Sequence, residues 1–166
     1  MASELDILSR NPNKLANLLS LVLDNTEQKK ILAVSEKHTK LLMKLSKHHL
    51  QFAKKISKPM DWRQKISRSY YSCYNASKAI RLITKGEYSQ EASDHKKIGE
   101  LPNDFPQESV WSNFLNQMRA DRNLSDYDHE KICSDLTHTP REYITQTESF
   151  YKEVKKYLAS RGIVCS

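Results

Sequence analysis

The chain has 166 residues, 28% of them charged, and a net charge of +7, with a mean hydropathy of −0.72. That length suits one domain with its own core, and no run nears the roughly 18 consecutive apolar residues of a membrane span, so a soluble protein is expected. Three glycines and five prolines are too few to mark the turns of a sheet-rich fold.

Residues 1–35 read as an N-terminal helical extension. Leu15, Leu18, Leu19, Val22 and Leu23 recur at helical spacing after a turn at Asn11–Asn13, and Thr26 is suited to cap the next helix. The start, Met1 to Glu4, is polar and acidic, so no secretory leader is expected. A long helix is predicted from Glu27 to Ile56, with Leu41, Leu42, Leu45, His49, Phe52 and Ile56 on one stripe. Lys37, Lys40, Lys44, Lys47, Lys54, Lys55 and Lys58 fall opposite, within an arc of about 100°. From Glu27 to Arg68 there are twelve Lys or Arg and three acids, a net +9, so the remainder of the chain is slightly acidic. Such a face is either a solvated helix surface or a phosphate-facing one. The scarcity of interleaved Glu favours the second, with Lys40, Lys44 and Lys47 as RNA-binding residues.

Lys58-Pro59 breaks that helix. Asp61 is placed to cap the next, which runs to Lys85 with Ile66, Tyr70, Cys73, Tyr74, Ile80 and Ile83 inward, and Gly86 stops it. Residues 87–106 are polar and read as an irregular loop with a short turn over Asp94–Ile98. A third helix is predicted over Gln107–Arg122 with a core face of Val110, Trp111, Phe114, Leu115 and Met118. The last starts at Thr139-Pro140, carries Tyr143, Phe150, Tyr151, Val154 and Leu158, and frays after Gly162. The expectation is therefore all-α: a four- to five-helix up-and-down bundle over residues 36–162, with extra N-terminal helical elements.

Much chemistry is excluded by what the residues lack. There is no Gly-rich phosphate loop, no HExxH and no Cys/His cluster at zinc spacing, so neither cofactor nor metal is expected. The odd, irregularly spaced cysteines Cys73, Cys133 and Cys165 read as reduced thiols of a cytoplasmic protein. The informative window is Arg119 to His129. Arg122 continues the stripe of Met118, and a guanidinium on a buried seam needs a partner. If the helix persists, Arg122 and His129 share a face about 10 Å apart along the axis, with Asp126 between. A neutral imidazole can take a proton from a ribose 2′-hydroxyl, and an arginine fork can hold the phosphate as charge builds. Asn123 is suited to orient sugar or phosphate, and Arg119 adds charge. The alternative is an Arg122 pair with Asp126 or Asp121 that closes a helix end, leaving His129 exposed.

Two segments resemble one family. Ser67–Ile80 (SRSYYSCYNASKAI) is similar to the second helix of HEPN domains, written R-A-Y-Y-A-x-x-H-A-A-x-A-L. Arg122–Asp128 (RNLSDYD) resembles the R-x-x-x-D-Y segment of one HEPN branch, and with His129 it meets the broader Arg-polar-(gap)-His signature. The resemblance spans residues 36–160. It implies a helical bundle, commonly a homodimer, whose active members are metal-independent endoribonucleases leaving 2′,3′-cyclic phosphates. Toxins of toxin–antitoxin pairs and antiviral effectors are among them. It makes Arg122 the transition-state clamp, Asn123 the orienting amide and His129 the general base. Partners implied are RNA, a second copy, and an antitoxin or nucleotidyltransferase. Lys131 stands where nucleotidyl-silenced toxins carry a tyrosine, so that switch is not expected. A non-catalytic module that binds nucleic acid, a nucleotide or a protein is the alternative.

Overall fold

The computed structural model describes residues 25–165, and the predicted elements of residues 1–24 lie outside them. Among the described residues the regular structure is entirely helical. It comprises α1 (Asn25–Lys55), α2 (Trp62–Lys85), α3 (Glu108–Tyr127) and α4 (Pro140–Ala159), with short 3₁₀ turns at Pro59–Asp61, Ala92–Lys97 and Cys133–Asp135. None of these helices is long and apolar enough to cross a membrane. α1 runs unbroken across residues 35 and 36.

α2 is the central helix, packing against α1, α3 and α4. It is buried nearly all round, from Ile66 through Tyr70, Cys73, Ala76 and Ile80 to Leu82. The helix ends where expected, because Gly86 adopts φ 64° and its N–H returns to the Arg81 and Leu82 carbonyls. Asp61 stands at the N-cap of α2 but makes no side-chain capping bond. The start of α4 is a full capping box: the Thr139 hydroxyl accepts from the Glu142 N–H, and the Glu142 carboxylate accepts from the Thr139 N–H. All five predicted core residues of α4 are buried.

The predicted stripe of α1 is not its buried face. Ser35, Thr39, Met43, Ser46, Leu50 and Ala53 face inward, while Leu41, Leu45 and Phe52 are 50%, 44% and 47% exposed. The cause is close packing of small residues. Ser46 donates to the Ser72 carbonyl at 2.8 Å, and Thr39 donates back to the Ser35 carbonyl at 2.8 Å, so both hydroxyls are buried with partners. A reading by hydropathy favours leucines over serines and so selects the wrong arc. The same reasoning fails for Val110 of α3, which is 60% exposed, whereas Asp121 and Ser125 are buried. Changing both Leu41 and Leu45 to Gln is expected to shift stability by less than about 1 kcal/mol in urea unfolding. Met43→Ala is expected to cost about 2–5 kcal/mol. Equal losses would mean that the leucine row is covered in solution.

The segment after α2 is more ordered than its polarity suggests. Ile98, Leu101 and Phe105 join the core. The Arg81 side chain, fully buried, forms a fork–fork pair with Asp94, with both N–O distances 2.9 Å. Tyr74 donates to the same carboxylate at 2.7 Å. This buried network fixes the 3₁₀ turn, and with it the adjacent His95.

Candidate functional site

The site begins where α3 ends. The helix continues five residues past Arg122 and stops at Tyr127, two short of His129; Asp128 is extended, at φ −103° and ψ 104°. The last carbonyls of a helix lack intrahelical donors and carry partial negative charge. Arg63 of α2 meets them: its guanidinium donates to the carbonyls of Ser125 (2.6 Å), Asp128 (2.8 Å) and Lys131 (2.6 Å). Arg63 therefore sets the path of the chain through His129. Its isolated position in the sequence offered no signal for that role.

Arg122 lies within the last two turns of α3, its side chain 13% exposed. Its guanidinium donates to Asp126 at 2.7 Å, to the Tyr71 hydroxyl at 3.2 Å and to the Asn123 amide oxygen at 3.3 Å. Three rings surround it, with centroid distances of 5.5 Å to Tyr70, 5.6 Å to Tyr71 and 5.3 Å to Tyr127. Burial opposes its charge, and Asp126 together with the Tyr71 and Tyr127 hydroxyls more than offsets that, so it stays charged. Of the two acids considered as partners, Asp126 pairs with it. Asp121 instead accepts from the Thr137 N–H at 2.7 Å and from the Tyr143 hydroxyl.

The imidazole framed by the same two tyrosines is His95. Its Nδ1 shares a 2.7 Å hydrogen bond with the Tyr70 hydroxyl, and its ring stacks on Tyr74 at 4.2 Å. It lies 5.8 Å from the Tyr70 ring and 6.0 Å from Tyr71, centroid to centroid. Burial lowers its pKa below the ordinary histidine value, and Arg122, Lys78 and Arg119 push the same way against Asp94. The ring is therefore neutral at pH 7. His95 lines a cleft of about 560 Å³ between α1, α2 and the turn, together with His49, Arg68, Tyr71, Tyr74 and Lys78.

The expected site residues divide into three groups. Arg122 and Asn123 are joined directly, and Arg119, half-buried, lies close enough to act electrostatically on His95 and Tyr70. His129 is exposed and lines two open hollows, one with Asn123 and Tyr127 and the other with Arg63, Gln64 and Ser67. Lys40, Lys44 and Lys47 are exposed on α1, roughly 140–180° around that helix from His49 and the cleft. Lys40 pairs with Glu36 at 2.6 Å. Three residues escaped the sequence reading: His95, Arg63 and Arg68. For His95 the one available signal was its place next to Asp94 in a segment read as an irregular loop. No family model, no curated protein and no solved structure matches this chain.

Proposed function

We propose that the chain is a HEPN-type, metal-independent endoribonuclease, of the kind used as a toxin or antiviral defence effector. The observation that supports it best is the Arg122 guanidinium, charged and shielded, held among three tyrosines beside Asn123. In this reading an imidazole accepts the proton of a ribose 2′-hydroxyl, the role the resemblance gives to His129. The 2′-oxygen bonds to the adjacent phosphorus as the bond from phosphorus to the 5′-oxygen breaks. The departing 5′-oxygen takes a proton from water, leaving a 2′,3′-cyclic phosphate and a 5′-hydroxyl. Arg122 holds the non-bridging oxygens, Asn123 orients the sugar, and Arg119 contributes field. The test is incubation with RNA in excess EDTA. Cyclic-phosphate ends are expected from the parent, and far fewer from His129→Ala. An uncut substrate, or cutting abolished by EDTA, rejects the reading.

RNA is the proposed partner, and the basic face of α1 is the proposed docking surface. Changing Lys40, Lys44 and Lys47 together to Glu should weaken RNA binding and flatten the log K against log salt plot by about 2, at roughly 0.7 per lost single-strand phosphate contact. An unchanged slope would remove that face from the RNA path. The HEPN reading also carries a homodimer, an antitoxin or nucleotidyltransferase partner and a cytoplasmic site of action. Sedimentation equilibrium tests the dimer.

One observation favours a second reading, a non-catalytic module that binds nucleic acid, a nucleotide or a protein. Asp126 already neutralises Arg122 at 2.7 Å, and His129 is exposed. A protein that binds RNA but never cuts it would fit that arrangement.

A further inference from the structure

Arg122 has an imidazole in its own ring frame, and it is His95. Tyr70 and Tyr71 each contact both groups: Arg122 at 5.5 and 5.6 Å, His95 at 5.8 and 6.0 Å. Tyr70, fully buried, holds the Nδ1 side of His95. That leaves Nε2 as the ring nitrogen available to a ligand in the cleft that His95 lines. A buried tyrosine bonded to one nitrogen of a half-buried histidine holds the ring in one orientation, as the outer hydrogen bonds of metal-binding histidines do.

The neighbourhood also holds polar atoms without a use. His49 Nδ1, Arg68 Nε and Arg122 Nε are buried and have no hydrogen-bond partner among the described residues. All three belong to side chains grouped around Tyr71. His49 stacks on its ring at 5.6 Å and an interplanar angle of 30°, Arg122 donates to its hydroxyl, and Arg68 lines the same cleft. Orphaned buried polar atoms are costly and uncommon in native proteins, and two of these three, His49 Nδ1 and Arg68 Nε, belong to side chains that line the cleft. Three of these side chains are cationic or become so by gaining a proton, so the ligand is anionic.

We propose that this cleft is the ribonucleotide phosphate subsite of the protein, with the phosphate set against His95 and Arg68, which line it, and Arg122 adding positive charge from beyond the Tyr70 and Tyr71 rings. The proposal rests on the reading of the chain as an RNA-acting module, and it assigns the imidazole beside the clamp to His95 instead of His129. Where cleavage occurs, His95 Nε2 is the atom that receives the 2′-hydroxyl proton, while the 2′-oxygen bonds to phosphorus and the 5′-oxygen leaves with a proton from water. Several groups face His95 and set its charge: Tyr70, Tyr71, Tyr74 and Lys78 from α2, Arg119 and Arg122 from α3, and Asp94 in its own turn. A bound phosphate adds negative charge to that set, so its arrival stabilises the imidazolium.

The six histidines make the test direct. Ring Cε1–H resonances are followed by NMR in the whole protein while adenosine 3′-monophosphate is added and pH is varied. The His95 signal is expected to move saturably, with its pKa rising by about 1 unit from the added charge. At fixed pH the nucleotide leaves the His38 and His138 signals unmoved, and they serve as internal references. His95→Gln assigns the signal, and Arg68→Gln should weaken binding about tenfold through loss of a charge-assisted hydrogen bond. Movement of His129 without His95, or no movement at millimolar nucleotide, overturns the proposal. The parent titration needs no variant to fold. Binding at His95 by a protein that cuts no RNA would retain the subsite and reject the nuclease. RNA cutting that requires His129, with His95 silent, would do the reverse.

Discussion

Asp94→Ala is expected to cost about 3–5 kcal/mol, because it leaves the Arg81 guanidinium buried without its counter-charge. Arg81 is fully buried, and its nearest other carboxylate, Glu87, is 3.9 Å away. For a chain of this size that corresponds to a fall in Tm on the order of 10 °C. The hydroxyl of Tyr74 loses its acceptor as well. A change of both partners, Arg81→Met with Asp94→Leu, should recover much of the loss, since a paired charge and an apolar pair of similar volume cost nearly the same to bury. Calorimetry of the two single variants and the double separates these cases. Additive losses would show that the two side chains do not act as a unit.

The same pair has a pH signature. Burial raises the Asp94 pKa, but the Arg81 hydrogen bonds and charge outweigh it, and the carboxyl is held below its ordinary value. A depressed folded-state pKa contributes stability that is complete above the unfolded carboxylate pKa and is lost as pH falls from there through the depressed value. The parent's Tm should therefore drop on acidification more steeply than that of Asp94→Ala. Asp104, Glu142 and Glu148 also have lowered pKa values and share this limb, so the difference between parent and variant is the quantity to read.

Helices were legible in the sequence wherever a stop signal is local chemistry. Gly86 and the Thr139-Pro140-x-Glu142 box ended and began helices at the expected residues, because each acts on its own turn. The buried arc of α1 was not legible. Ser35, Thr39 and Ser46 are inside because α2 comes close enough to supply an acceptor for Ser46, and the position of α2 is a property of the tertiary fold. The extension of α3 to Tyr127 was missed for a related reason. Its C-terminal carbonyls are satisfied by Arg63, more than sixty residues earlier in the chain. At the site, the need of Arg122 for an acidic partner was legible, since a seam position that carries Arg demands one, and Asp126 supplies it. His95 went unnoticed because its relation to Arg122 runs through Tyr70 and Tyr71, and periodicity cannot carry a contact between a loop and two helices.

Arg122→Ala is the substitution with the largest expected effect on RNA cleavage, a loss of about 10²–10³ in rate by analogy with removing one donor to a developing oxyanion. The loss should be mainly kinetic. The Arg122–Asp126 pair is largely shielded, with side chains 13% and 23% accessible, and Arg122→Ala also removes packing against three rings, so a stability cost of about 1–3 kcal/mol is expected beside it and rates are compared well below Tm. Arg122→Lys keeps the charge but cannot reach Tyr71, Asn123 and a phosphate from one planar fork, and should recover only part of the rate. Asp126→Asn separates two roles of the acid. If Asp126 competes with phosphate for the guanidinium, the variant binds RNA more tightly than the parent. If it aims Arg122 at the tyrosine frame, the variant loses rate with little change in binding. Parent-like cleavage by Arg122→Ala in EDTA would mean that the guanidinium never meets the scissile phosphate, and the catalytic reading of this end of α3 would fall with it.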